Sequence, residues 1–140
     1  STPTHGMKCV QINLQKSIAP TNSLCGWMLS SGIKIGLLQE PYLKNNKVSG
    51  ILPSFKLLRG TNKKFRACII ADNMVNIWML NQYSDADQVA AQVKIKNRCI
   101  VIASVYLPYD PKVMPPSDSM KKLVINWLCH SKGRHSCKFF

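Results

Sequence analysis

Acidic residues are scarce in this chain: six carboxylates among 140 residues, of which Glu40 is the only glutamate, against 19 lysines and arginines. The net charge of +13 and a pI near 9.8 point to a polyanionic partner, nucleic acid first and an anionic membrane surface second. A merely soluble basic protein is the plain alternative. No apolar run approaches the roughly 18 residues that a membrane-spanning helix needs, and no signal-peptide core is present. The sequence therefore reads as soluble and neither secreted nor membrane-spanning. Six cysteines (Cys9, Cys25, Cys68, Cys99, Cys129 and Cys137) are scattered without a tight framework, which argues against a disulfide scaffold and for reduced thiols inside a cell. Cys129-His130 with His135 and Cys137 has zinc-ligand chemistry, but the spacing fits no common finger. No internal repeat or low-complexity segment occurs.

What is present organises around Ile33 to Tyr42. Ile33–Leu38 is almost unbroken apolar sequence, as in a strand buried on both faces of a sheet. It runs into Gln39-Glu40 and then Pro41, which cannot continue a central strand. A lone carboxylate is thus delivered to the carboxyl end of a buried strand, where open α/β sheets place their ligands. In that position Glu40 is either a metal ligand or the structural partner of an arginine or lysine. Upstream, Met7–Leu14 alternates around Val10 and Ile12 and ends with Asn13 at a comparable strand tip. Thr21-Asn22-Ser23 offers caps for a helix over 23–31, and Gly32 closes it. Strand, helix and strand make a right-handed parallel βαβ unit.

Beyond Glu40 the spacing predicts a basic loop, then short strands over 55–58, 67–71, 75–80 and 89–96, with Asp72-Asn73-Met74 as a hairpin turn. Cys99–Leu107 is a second buried strand stopped by Pro108. A proline-rich loop leads to a helix over 119–130. Phe139-Phe140 reads as the opening of a further strand. Lys44, Lys47, Arg59, Lys63, Lys64 and Arg66 crowd the middle segment, and loops that touch phosphates have this composition.

Gln11-Ile12-Asn13-Leu14-Gln15, Leu38-Gln39-Glu40-Pro41-Tyr42, Arg66-Ala67-Cys68-Ile69, Ser104-Val105-Tyr106-Leu107-Pro108 and Trp127-Leu128-Cys129 stand in an order that resembles the endonuclease domain of jockey-like non-long-terminal-repeat retrotransposons. That domain belongs to the endonuclease/exonuclease/phosphatase superfamily. The resemblance implies an α/β fold of the DNase I-like type, a four-layer sandwich of two mixed sheets with helices outside. It implies Mg²⁺-dependent nicking of DNA (with Mn²⁺ as the alternative ion) that primes reverse transcription, a parent polyprotein containing a reverse transcriptase, and a nuclear site of action. It also implies that Asn13 hydrogen-bonds within the active site, that Glu40 holds the metal, and that Tyr106 contacts the scissile phosphate. Lys44, Lys47, Arg59, Lys63, Lys64 and Arg66 are the candidate nucleic-acid contacts.

Departures from the pattern bound this reading. Gln15 stands where many relatives carry an aspartate. The Gly-Asp-x-Asn and Ser-Asp-His motifs of the second half, which supply further carboxylates and the general base, do not occur. Residues 1–6 are expected to be a loose lead-in, and 7–140 to be the N-terminal part of the domain, inactive by itself. The alternative is a non-catalytic, basic nucleic-acid-binding remnant of a retroelement.

Overall fold

The architecture follows from β2 (Ile33–Gln39), a strand with apolar side chains on both faces. The computed structural model describes residues 6–108 and 117–123, and the backbone alone of 137–139. Along β2, Ile35 and Leu37 point to one side and Leu38 to the other, so each face needs its own cover. Parallel to β2 lies β1 (Lys8–Asn13), and α1 (Ile18–Ser31) connects the two. On the other side β2 pairs antiparallel with β6 (Ala67–Asp72), which pairs with β5 (Phe55–Leu58). The order of this first sheet is β1-β2-β6-β5.

Helix α1 covers its outer face. Leu24, Cys25 and Met28 pack on Leu38, Cys68 and Ile70. Gly36 lets the helix approach: a Cβ there would stand 3.1 Å from Ile70 Cγ1 and 3.3 Å from Met28 Sδ. The helix begins at Ile18, five residues before the expected start. Ser17 occupies the N-cap position, and Pro20 falls in the first turn, where the missing N–H costs nothing. Thr21 is therefore not a cap. Its hydroxyl donates to the Ser17 carbonyl (2.7 Å) and accepts from Tyr42 N–H (3.1 Å).

The second sheet has the order β10-β9-β8-β7, made of β7 (Ile77–Met79), β8 (Gln88–Ile95), β9 (Arg98–Val105) and β10 (Cys137–Phe139). Strands β8 and β9 form a hairpin across the two residues Lys96 and Asn97. Strand β10 lies parallel to β9, in line with the strand expected around Phe139. The two sheets stack face to face: Ile35, Leu37, Ile69 and Ala71 of the first meet Val89, Ala91, Val93 and Ile102 of the second. Leu123, from the helical stretch 118–123, joins Leu80, Tyr83, Ala90 and Val101 on the far side. Helix, sheet, sheet and helix give the expected four layers.

Three local expectations change. The Asp72–Met74 turn does not close a hairpin: Val75 N–H bonds back to Asp72 O (2.9 Å) and the chain crosses from the first sheet to the second. The loop after Glu40 contains a small ribbon, β3 (Leu43–Lys44) with β4 (Lys47–Val48). Of the three cysteines that lie in apolar strand runs, Cys68 is buried, Cys99 is half-buried and Cys9 is exposed. Strand β1 has only β2 beside it among the described residues. Cys9 lines a cavity of about 670 Å³ between the sheets, together with Met7, Leu37, Val93 and Ile102. The expected helix over 119–130 is described only as far as 123. The proline-rich loop, Trp127, His5, His130 and His135 lie outside the described residues.

Burial pushes the Cys68 thiol up from 9.0 to about 12, with the Arg59 charge opposing weakly. Its folded value lies above its unfolded one, so the protein keeps this stabilisation below pH 9 and loses it progressively as pH rises towards 12. At neutral pH, a thiol reagent should modify Cys9 in the native protein and reach Cys68 only after denaturant is added. Modification of Cys68 without unfolding would contradict this packing.

Candidate active site

The polar residues collect where the strands of both sheets end, at the opposite end from the cavity at Met7 and Cys9. Asn13 ends β1 and Glu40 follows β2. Arg66 precedes β6, which runs antiparallel to β2. Asp87 precedes β8 and Tyr106 follows β9, again an antiparallel pair. Five side chains from five strand ends therefore meet along one rim.

The backbone fixes Glu40 first. It has φ 48°, a left-handed conformation uncommon outside glycine. Bonds on both sides hold it: Glu40 N–H donates to Arg66 O (2.8 Å), and Glu40 O accepts from Lys16 N–H (2.7 Å). A left-handed non-glycine residue persists only where its surroundings over-determine it, and such residues cluster at functional sites. Asn13 Oδ1 accepts from Gln15 N–H (2.8 Å), which leaves its amide nitrogen to donate to Glu40 Oε1 (3.2 Å). One carboxylate oxygen is thus oriented by Asn13, and no hydrogen bond engages Oε2 among the described residues.

Arg66 supplies the other half of the rim. Its guanidinium donates through Nε and Nη2 to the two oxygens of Asp87 (2.8 and 2.7 Å) and lies 4.6 Å from the centre of the Tyr106 ring. The hydrogen bond to Asp87 raises the arginine pKa further, so this cation is permanent. Tyr106 N–H donates to Asp87 O (2.8 Å). The Arg66 backbone holds Glu40 while its side chain flanks Tyr106, so one residue couples the two sheets.

Behind the rim lies a buried polar bridge. Gln39 Nε2 donates to Ser104 Oγ (2.9 Å), and Ser104 Oγ donates to Leu38 O (2.7 Å). Both side chains are buried. Glu40 is the next residue after Gln39, and Tyr106 stands two beyond Ser104, so the bridge sets their separation.

Asn13, Glu40, Arg66 and Tyr106 are brought together. Lys44 and Lys47 stand exposed on the β3–β4 ribbon, and Lys63 and Lys64 stand exposed in the loop leading to Arg66. Arg59 is half-buried and bonded to three backbone carbonyls. Sequence reasoning missed Asp87. The available signal was the pair Asp85 and Asp87, two of only six acidic residues, at the start of a strand. It also took no account of Gln39 and Ser104.

Among the described residues no group of three or more metal-ligating side chains occurs. Glu40 is the carboxylate available, since Asp87 is committed to Arg66. One carboxylate with a free oxygen fits Mg²⁺, which commonly takes one or two carboxylates and fills its remaining positions with water and substrate phosphate.

These layers, with a polar rim at the strand ends, are those of the DNase I-like fold. The chain is similar in structure to the endonuclease domain of TRAS1, a telomere-specific non-LTR retrotransposon, with a TM-score of 0.68 and 19% identity over 96% of this chain. It is also similar to a humanised D. rerio TDP2 carrying 14 mutations (TM-score 0.58, 14% identity, 94% of this chain). A D. rerio TDP2 complexed with a single-strand DNA product matches at TM-score 0.51 and 11% identity over 95% of the chain. The chain spans 57–58% of the length of these structures. No protein-family model matches the sequence, and no curated protein matches it.

Ser104→Ala would leave the buried Gln39 amide without its acceptor, a loss of about 1–3 kcal/mol. Denaturant unfolding should show this as a lower midpoint with an unchanged slope. An unchanged midpoint would mean that the bridge does not join the sheets.

Proposed function

We propose that this chain carries one side of a retrotransposon-type, metal-dependent DNA endonuclease centre, acting on phosphodiester bonds and holding Mg²⁺ or Mn²⁺ at Glu40. The observation that carries the proposal is the Asn13–Glu40 hydrogen bond on the same rim as Arg66 and Tyr106. The structural likeness to the TRAS1 endonuclease domain supports it.

Each residue then has a role. Asn13 turns the Glu40 carboxylate so that its second oxygen faces outward for the ion. A divalent cation supplies charge stabilisation for the oxygens of the transferring phosphoryl group. Tyr106 offers its hydroxyl to the scissile phosphate, and Arg66, anchored by Asp87, keeps the ring in place. In this reading Lys44, Lys47, Lys63 and Lys64 bind the DNA backbone on either side. The substrate is DNA, the working context a polyprotein with reverse transcriptase, and the compartment the nucleus.

The site holds a metal ligand and positioning groups but no general base: no histidine lies among the described residues, and the motifs that would supply one are absent from the sequence. A missing base costs about 10²–10⁴-fold in rate. The chain alone is therefore expected to bind metal and DNA without efficient turnover. That single available carboxylate also favours a second reading, in which the chain is a non-catalytic nucleic-acid-binding remnant.

One measurement separates these readings, and a second tests whether the chain is insufficient alone. Millimolar Mg²⁺ should raise the unfolding temperature of the wild-type chain, as any ligand of the native state does, and Glu40→Gln should abolish the rise. Equal stabilisation of both proteins would remove Glu40 as the ligand and leave the remnant reading. In a plasmid-nicking assay with Mg²⁺, wild type and Glu40→Ala should be equally slow. Robust nicking lost in Glu40→Ala would overturn the expectation that the chain is insufficient alone.

A further inference from the structure

The ribbon that follows Glu40 sets two positively charged residues side by side. Lys44 of β3 stands directly across from Lys47 of β4. The tip residues Asn45 and Asn46 have φ of 53° and 63°, the two-residue turn with both positions left-handed that matches strand twist. Like charges directly opposite on a ribbon repel. Neither lysine has a carboxylate partner among the described residues, where the ion pairs are Lys34–Asp72 and Arg66–Asp87.

The ribbon is nevertheless tied down on every side. Ser49 N–H closes it on Tyr42 O (3.2 Å), and the Ser49 hydroxyl reaches Asn22 Oδ1 on α1. Gly50, with φ 77°, passes so close to Asn22 that a Cβ would stand 2.6 Å from its Cα. The strongest tie is Arg59. Its guanidinium donates to Asn46 O in the ribbon tip (3.1 Å), to Gly60 O (3.1 Å) and to Asn62 O (2.7 Å), and it stacks 4.3 Å over Phe65. Three donors and one face are thereby committed inside the protein.

We propose that Lys44 and Lys47 form a preorganised clasp for one backbone phosphate of the nucleic acid bound beside Glu40, and that Arg59 is a positioning residue holding the clasp rather than a phosphate contact. The proposal rests on the reading of the rim as a nucleic-acid site. A phosphodiester between the two ammonium groups removes their repulsion. Because the ribbon backbone is already tied down, binding has only the two lysine side chains left to order. Lysine suits this task as a point charge that needs no bidentate fork. Arg59 is the inverse case: its fork matches three carbonyls at fixed positions, which lysine cannot imitate.

The salt dependence of binding distinguishes a contact from a strut. Each phosphate neutralised contributes about 0.9 to the slope of log K against log salt on duplex DNA. The test is fluorescence anisotropy of the full chain with a short fluorescein-labelled DNA duplex across a KCl series, with circular dichroism as the control for folding. The double variant Lys44→Gln/Lys47→Gln should bind more weakly with a slope shallower by about one unit. Arg59→Lys should bind several-fold more weakly at every salt concentration with the wild-type slope. Steep wild-type binding whose slope the double variant leaves unchanged overturns the clasp and spares the nucleic-acid reading. Absence of salt-dependent binding by wild type overturns both. An Arg59→Lys protein with wild-type affinity, or with a shallower slope, removes the strut.

Discussion

A buried pair of hydrogen bonds between the sheets, Gln39 to Ser104 and Ser104 to the Leu38 carbonyl, is the constraint on which the site depends. Two sheets stacked through apolar side chains can slide, because dispersion and burial carry little directional information. A buried amide and hydroxyl cannot slide: each must meet its partner or lose the free energy of a desolvated polar group. Ser104 satisfies both Gln39 and the Leu38 carbonyl, so strands β2 and β9 can stack in only one register. Glu40 and Tyr106, the next polar residues along each strand, inherit that register.

The rim is then closed from outside by Arg66. Its carbonyl receives Glu40 N–H, its side chain grips Asp87, and its guanidinium flanks Tyr106. The Arg66–Asp87 pair is part-exposed, so its contribution to stability is modest. Its value lies in bidentate geometry, which fixes the plane of the guanidinium against the ring. Positional accuracy of this kind is what phosphoryl chemistry asks of a protein, since the chemistry itself falls largely to the ion and the attacking water.

Much of this was legible in the chain. The almost unbroken apolar run Ile33–Leu38 announced a strand buried on both faces, and Pro41 and Pro108 marked where two strands stop, so Glu40 and Tyr106 could be placed at strand ends. The parallel β1–β2 pair followed from the same patterns, and the four layers followed from the family resemblance. Asp72–Met74 has the composition of a hairpin turn, yet whether a turn returns to the same sheet or crosses to another depends on which face is already covered. The start of α1 was misplaced because three good capping residues stand at 21–23. Tertiary contacts claim two of them, Thr21 bonding Tyr42 and Asn22 bonding Ser49, and the Ser23 hydroxyl donates back along the helix to Ala19 O. Arg59 and Arg66 looked like their neighbours Lys63 and Lys64 in a basic stretch. Only the fold shows that the two arginines are committed to internal partners while the lysines stand in solvent. Gln39 and Ser104 carry no local signature, because their importance comes from residues far away in sequence, and Asp87 offered only its scarcity as a carboxylate at a strand start.

The most direct test of the central claim is the distance between the Glu40 and Tyr106 positions in solution, read by fluorine NMR of the chain labelled with 3-fluorotyrosine. Mn²⁺ seated at Glu40 should broaden the Tyr106 resonance strongly and leave Tyr83, buried against the far side of the second sheet, sharp. The broadening of Tyr106 should vanish in Glu40→Gln. A Tyr106 signal unaffected by Mn²⁺, or broadened no more than that of Tyr83, would contradict a shared site.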